Sequence, residues 1–135
     1  MVSGGFSAAL FALKENPMIF TETLKKNHEF RRLYAKGKSS VTPYLVVYAG
    51  KSRRRQRPLN RVGFTVSAKL GGAVTRNRIR RRLRELYRLH ETEFRTGAEL
   101  VVVARSRAAG AQWRQLEHAF LSACRKLDLL REDAV

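Results

Sequence analysis

Seven arginines fall within thirteen positions of the segment Thr75-Arg-Asn-Arg-Ile-Arg-Arg-Arg-Leu-Arg-Glu-Leu-Tyr-Arg88. On a helix, Arg76, Arg80, Arg84 and Arg88 form one row, with Arg81 beside it and Arg78 and Arg82 further round, while Ile79 and Leu83 turn inward. Like-charged neighbours at this spacing weaken a helix by about a few tenths of a kcal/mol per pair, and Glu85 is the one acid among them. A phosphate-bearing partner removes that cost. The planar guanidinium fork suits it, because it meets two phosphate oxygens at once and also stacks on bases.

Aromatic residues lie near further cations: Phe30 and Tyr34 with Arg31, Arg32, Lys36 and Lys38, then Tyr44 and Tyr48 at alternate positions of one expected strand face. Rings among cations hold single-stranded nucleic acid by base stacking, worth about 1–3 kcal/mol per base. The same spacing also fits core packing, and the residues alone leave both readings open. Lys51, Arg53, Arg54, Arg55 and Arg57 form a basic loop that suits phosphate contacts and a solvated loop equally.

No group for bond-breaking chemistry stands out. There is no acid pair suited to metal-assisted phosphodiester cleavage and no G-x-x-x-x-G-K-S/T loop, and His28, His90 and His118 are scattered. Cys124 is the single cysteine, which excludes an internal disulfide, gives no metal-ligand spacing and fits a reducing cytoplasm. The expectation is a chain with no catalytic residue and no metal of its own.

The 135 residues carry a net charge of +17 with 44% apolar content, which argues for one folded domain with a cationic surface. The charge is localised. Residues 1–88 hold 21 Lys plus Arg and four acids, whereas residues 89–135 hold seven of each. Nucleic acid is the leading partner class, ahead of an anionic membrane, because the cationic helix needs its apolar stripe for the core and has nothing left to insert. Residues 1–19 read as a weakly specified extension whose apolar run from Phe6 to Leu13 is too short to span a bilayer.

The elements that must position these groups follow from periodicity and punctuation. Asn27 is a plausible cap for a helix over 28–36 that Gly37 ends. Pro43–Ala49 and Arg61–Ser67 read as strands, and Glu99–Ala104 as a third. Thr75 or Asn77 caps a helix from about Arg76 to Phe94 with Ile79, Leu83, Leu86, Tyr87 and Phe94 as its buried stripe, and a last amphipathic helix runs from about 112 to 130. The order α-β-β-α-β-α describes a mixed α/β (α+β) two-layer sandwich, helices packed on a small mixed sheet.

The stretch Arg61-Val-Gly-Phe-Thr-Val-Ser-Ala-Lys-Leu-Gly-Gly-Ala-Val-Thr-Arg-Asn-Arg-Ile-Arg-Arg-Arg-Leu-Arg-Glu85 resembles the signature of the bacterial ribonuclease P protein component. Leu24-Lys-Lys-Asn-His-Glu-Phe30, Gly37-Lys-Ser and Leu100-Val-Val-Val-Ala-Arg105 are similar in kind and order, and the likeness covers roughly residues 20–131 as one domain. It departs at Ala68, where a second lysine is common, at Gly72, where asparagine is common, and over the first eighteen or so residues.

The resemblance implies a fold shared with a ribosomal-protein domain, including a left-handed βαβ crossover. It implies a cytoplasmic subunit that joins a catalytic RNA, one protein per RNA, in removing the 5′ leader of precursor tRNA, with magnesium used through the RNA and none bound by the protein. Carried onto this chain, it assigns Arg76, Asn77, Arg78, Arg80, Arg81, Arg84 and Lys69 to the catalytic RNA. Phe30, Tyr34 and Tyr48 fall to a cleft for the leader. Arg31, Arg32, Lys36, Arg53, Arg54 and Arg55 are the candidate phosphate contacts. The alternative is a stand-alone basic RNA-binding or ribosome-associated protein with no role in cleavage.

Overall fold

The computed structural model describes residues 21–51 and 60–132. These form β1 (Thr21–Thr23), α1 (Asn27–Lys36), β2 (Lys38–Val41), β3 (Leu45–Lys51), β4 (Asn60–Thr65), α2 (Ala73–His90), β5 (Ala98–Ala104) and α3 (Trp113–Lys126), with short 3-10 turns at Ala68–Leu70, Glu91–Glu93 and Ser106–Ala108. Arg53, Arg54, Arg55 and Arg57 and the extension over 1–19 lie outside the described residues.

The sheet runs β1-β4-β5-β3-β2, with β1, β4 and β5 parallel and β3 antiparallel to both β5 and β2. Alternation along the strands sends Leu45, Val47, Val62, Leu100 and Val102 to one face. There they pack on Ile79, Leu83, Leu86 and Tyr87 of α2 and on Leu116, Phe120 and Ala123 of α3, the main layer of the expected sandwich. The short α1 lies across the opposite face, where Leu24 and Leu33 meet Val101 in a smaller cluster joined by Phe30, Tyr48 and Val103. Central β5 is buried on both sides, which explains its unbroken Leu-Val-Val-Val run.

Several boundaries differ from the sequence expectation. β1 and β2 carry no periodic apolar signal, being short and polar edge strands that exist because β4 and β3 offer them hydrogen-bonding partners. Asn27 is the first helical residue of α1, and Lys26 before it makes no side-chain cap. Gly37 does end α1, but in extended conformation (φ −76°), and glycine is needed there for space: a Cβ would sit 2.6 Å from the Leu33 carbonyl oxygen and 2.8 Å from that of Ala49.

Helix α2 starts three residues early, after Gly72, so Thr75 and Asn77 lie inside it rather than capping it. Phe94 lies beyond its end, after a 3-10 turn, yet is 1% exposed and still part of the core. At α3, Gln112 and Gln115 form a reciprocal capping box. Tyr87 is wholly buried and ties the edge of the sheet to α2, its hydroxyl donating to Thr21 Oγ1 at 2.6 Å and accepting from Asn60 Nδ2 at 3.2 Å. The direction follows because the single Thr21 hydroxyl proton goes to Glu91 at 2.6 Å. Burial pushes the Tyr87 phenol up to about 12.

Candidate nucleic-acid interface

Beside α1 the sheet carries an aromatic cluster. Tyr34 meets Tyr48 edge-on at 4.9 Å and 73°, and Phe30 lies 6.5 Å from Tyr34. The Tyr34 and Thr65 hydroxyls are 2.9 Å apart, and Tyr34 is 39% exposed. Asn27, Phe30, Arg31, Tyr34 and Thr65 line a shallow depression there. Phe30 fits only because Gly63 lies beneath it: a Cβ at Gly63 would come within 2.6 Å of the ring carbons Cε1 and Cζ. The structure therefore brings together Phe30, Tyr34 and Tyr48, with Arg31 exposed on the rim and Lys36 exposed at the end of the helix.

Tyr44 does not join them. It precedes the strand, packs against the larger core on the other face and lies under Arg107, whose guanidinium is 5.9 Å from the ring centroid.

Under α1 sits a buried ion network. Arg61 of β4 pairs with Glu29 of α1, reaches Glu99 of β5 at 3.4 Å and faces Glu22 at 3.7 Å, while Arg32 of α1 pairs with Glu99. Arg61 and Glu99 are register partners, the two charged residues that open adjacent hydrophobic strands. Burial opposes ionisation of Glu29, but the hydrogen bond and charge of Arg61 outweigh it and hold the carboxyl below its usual range. Arg32, expected at a phosphate, is turned inward instead and committed to a carboxylate.

On α2 the arginines divide by position around the helix. Arg78 and Arg81 are exposed, and no carboxylate among the described residues pairs with them. The row spaced by four is more enclosed: Arg80 donates to Asn77 Oδ1 at 3.1 Å, and Arg88 donates through Nε to Glu85 at 3.0 Å. Arg76 and Arg84 are half-buried. Arg82 reaches the segment that leads into α3 and donates to the Ala111 carbonyl at 2.9 Å; burial, then the charge of Arg78, lowers its pKa.

Lys69 is exposed in the turn that joins β4 to α2, where Ser67 Oγ accepts from its backbone N–H at 3.2 Å. Gly71 closes that turn at φ +142°, a conformation that side chains disfavour. At Gly72 a Cβ would meet nothing within 4 Å, so the departure from asparagine there leaves open space.

The remaining titratable groups are structural. His90 at the end of α2 meets Glu93 through Nδ1 and Glu117 of α3 through Nε2, each at 2.7 Å. Burial disfavours its charge, but the two carboxylates outweigh burial and raise its pKa. Cys124 is fully buried, and burial pushes its thiol up. Among the described residues no three His, Cys, Asp or Glu side chains cluster as a metal site, and no helix is long and apolar enough to cross a membrane.

Sequence reasoning missed Gly63, the Arg61 network and the half-buried Trp113 beside the arginines. The charge pair opening β4 and β5 was the available signal for the network.

The ribonuclease P family profile matches residues 18–128. The ribonuclease P protein component of Natranaerobius thermophilus is 38% identical over 113 residues, spanning 84% of this chain and 96% of the relative. That of Clostridioides difficile is 36% identical over 110 residues, 81% of this chain and 94% of the relative. The Staphylococcus aureus RNase P protein structure superposes with a TM-score of 0.70 at 30% identity, covering 81% of this chain and 97% of its own, and the Thermotoga maritima protein with 0.66 at 26%, covering 75% and 93%. A mixed sheet bearing an arginine helix on one face and an aromatic cluster on the other, matched over this length, makes the chain a member of the ribonuclease P protein family.

Proposed function

We propose that this chain, as the RNA-binding protein subunit of ribonuclease P, assists a catalytic RNA in the endonucleolytic removal of the 5′ leader from precursor tRNA. The observation that carries the reading is the Phe30–Tyr34–Tyr48 cluster, with Tyr34 exposed, its two partners half-buried and Phe30 seated over Gly63, a surface that phosphate binding alone does not require. Bases of the single-stranded leader stack there, and Arg31 and Lys36 meet its phosphates. Arg76, Asn77, Arg78, Arg80, Arg81 and Arg84, with Lys69 in the preceding turn, face the catalytic RNA.

The protein supplies binding and orientation, and bond cleavage belongs to the RNA, which holds the magnesium. One protein joins one RNA in the cytoplasm. Cleavage of a precursor tRNA at low magnesium tests this, comparing protein alone, a bacterial ribonuclease P RNA alone and the two together. Efficient cutting at the mature 5′ end only by the mixture is the expected result. A mixture no better than RNA alone, with the protein folded, favours a stand-alone RNA binder; cutting by protein alone means an active site within the chain.

A further inference from the structure

A further aromatic residue stands among cations, away from the cleft. Trp113, the first residue of α3, is half-buried, resting on the main core, and it lines a depression with Arg78, Arg81, Arg82 and Glu85. Three features set this place apart from an ordinary charged surface.

The charge there is uncompensated, because Glu85 is engaged by Arg88 and no carboxylate among the described residues pairs with Arg78 or Arg81. The site is also braced: Arg82 is tied to the Ala111 carbonyl, just ahead of the capping box that starts α3, so the indole is held beside Arg78 and Arg81. Finally, none of Arg78, Arg81 and Arg82 stacks over the indole, whereas Arg107 does lie over the Tyr44 ring. The depression is about 240 Å³, below the roughly 300–1,000 Å³ of sites that enclose a drug-sized ligand. It suits one planar ring with its charged backbone outside.

We infer that Trp113, Arg78 and Arg81 form a second nucleotide site, in which an unpaired base of the catalytic RNA stacks on the indole while the flanking phosphates meet the two guanidiniums. The inference rests on the proposed subunit function, in which α2 faces that RNA. Stacking and phosphate contact are separable contributions, the first insensitive to salt and the second strongly dependent on it.

Trp113 is the chain's single tryptophan, so its emission reports this site alone. The full chain is titrated with a bacterial ribonuclease P RNA transcript while tryptophan emission and filter retention are followed in parallel. Emission should change along the retention isotherm. Trp113→Leu should weaken retention roughly five- to a hundredfold with an unchanged slope of log affinity against log salt, and Trp113→Phe should restore most of the loss because a ring still stacks.

Retention without any change in emission overturns the site and leaves the subunit function standing. Equal losses in the Leu and Phe variants also overturn it, since they mark a packing defect. Absence of retention by the parent protein overturns the subunit reading itself.

Discussion

On the α1 side of the sheet Arg61, Glu29 and Glu99 are buried and committed to one another, and an aromatic cluster lies at the surface beside them. On the α2 side the buried layer is apolar, and what faces outward is cationic. The same residue types therefore serve opposite ends: arginine holds the first face together from inside and leaves the second open to a polyanion. Placement of a cation relative to a carboxylate, more than the count of cations, decides whether it can meet a phosphate. Arg32 and Arg31 are neighbours in the chain and fall on opposite sides of that division.

Substituting Arg61 is the largest way to break this contrast. Arg61→Ala leaves Glu29 buried without its partner and Glu99 with Arg32 alone, and should cost about 3–5 kcal/mol by urea denaturation. An effect under about 1 kcal/mol, the range of an exposed pair, would show that the network is not a buried one.

Phe30→Ala with Tyr34→Ala comes next: affinity of the holoenzyme for precursor tRNA should fall by about 1–3 kcal/mol per unstacked base, with mature tRNA nearly unaffected. Equal loss for both RNAs removes the leader from the cleft. Gly63→Ala sharpens the same point without touching a ring, since the added methyl displaces Phe30. It should cost about 1–3 kcal/mol of stability and reproduce the precursor-specific loss in a binding assay.

The other face responds differently. Arg78→Ala with Arg81→Ala should leave the urea midpoint almost unchanged and reduce the salt dependence of binding to the catalytic RNA, by roughly 0.7–0.9 in log–log slope per lost phosphate contact. The smallest effect is at His90. Its folded pKa lies above the ordinary 6.5, so its contribution is full below that pH and is lost as pH rises through the folded value. Urea midpoints of the parent and His90→Gln should converge on going from pH 6 to pH 8.5; a gap that widens with pH would mean that the imidazole is held neutral.

Much of the architecture could be read from the chain because it is written in local periodicity. Ile79, Leu83, Leu86 and Tyr87 recur at helical spacing, and the Leu-Val-Val-Val run of β5 marks a strand covered on both faces. What escaped depends on partners far away in sequence. Glu99 captures Arg32 across 67 positions, and the polar residues of β1 become a strand only because β4 lies alongside. Tyr44 and Tyr48 looked equivalent by alternation, yet the strand begins between them, at Leu45. The cleft was reached through resemblance, since the residue pattern fitted a core equally well; Gly63, which seats Phe30, carries no side chain to draw attention.

The pairing of Arg61 with Glu99 also bears on how the chain finds its fold. Strands β4 and β5 are parallel and joined through the whole of α2, so their alignment is made over a long connection, without a tight turn to fix it. A slip of one residue would turn Arg61 toward the apolar face and exchange three carboxylates for the hydrocarbon of α2 and α3. The charge network thus specifies the register of β4 against β5, because a misaligned sheet forfeits every one of these pairs at once.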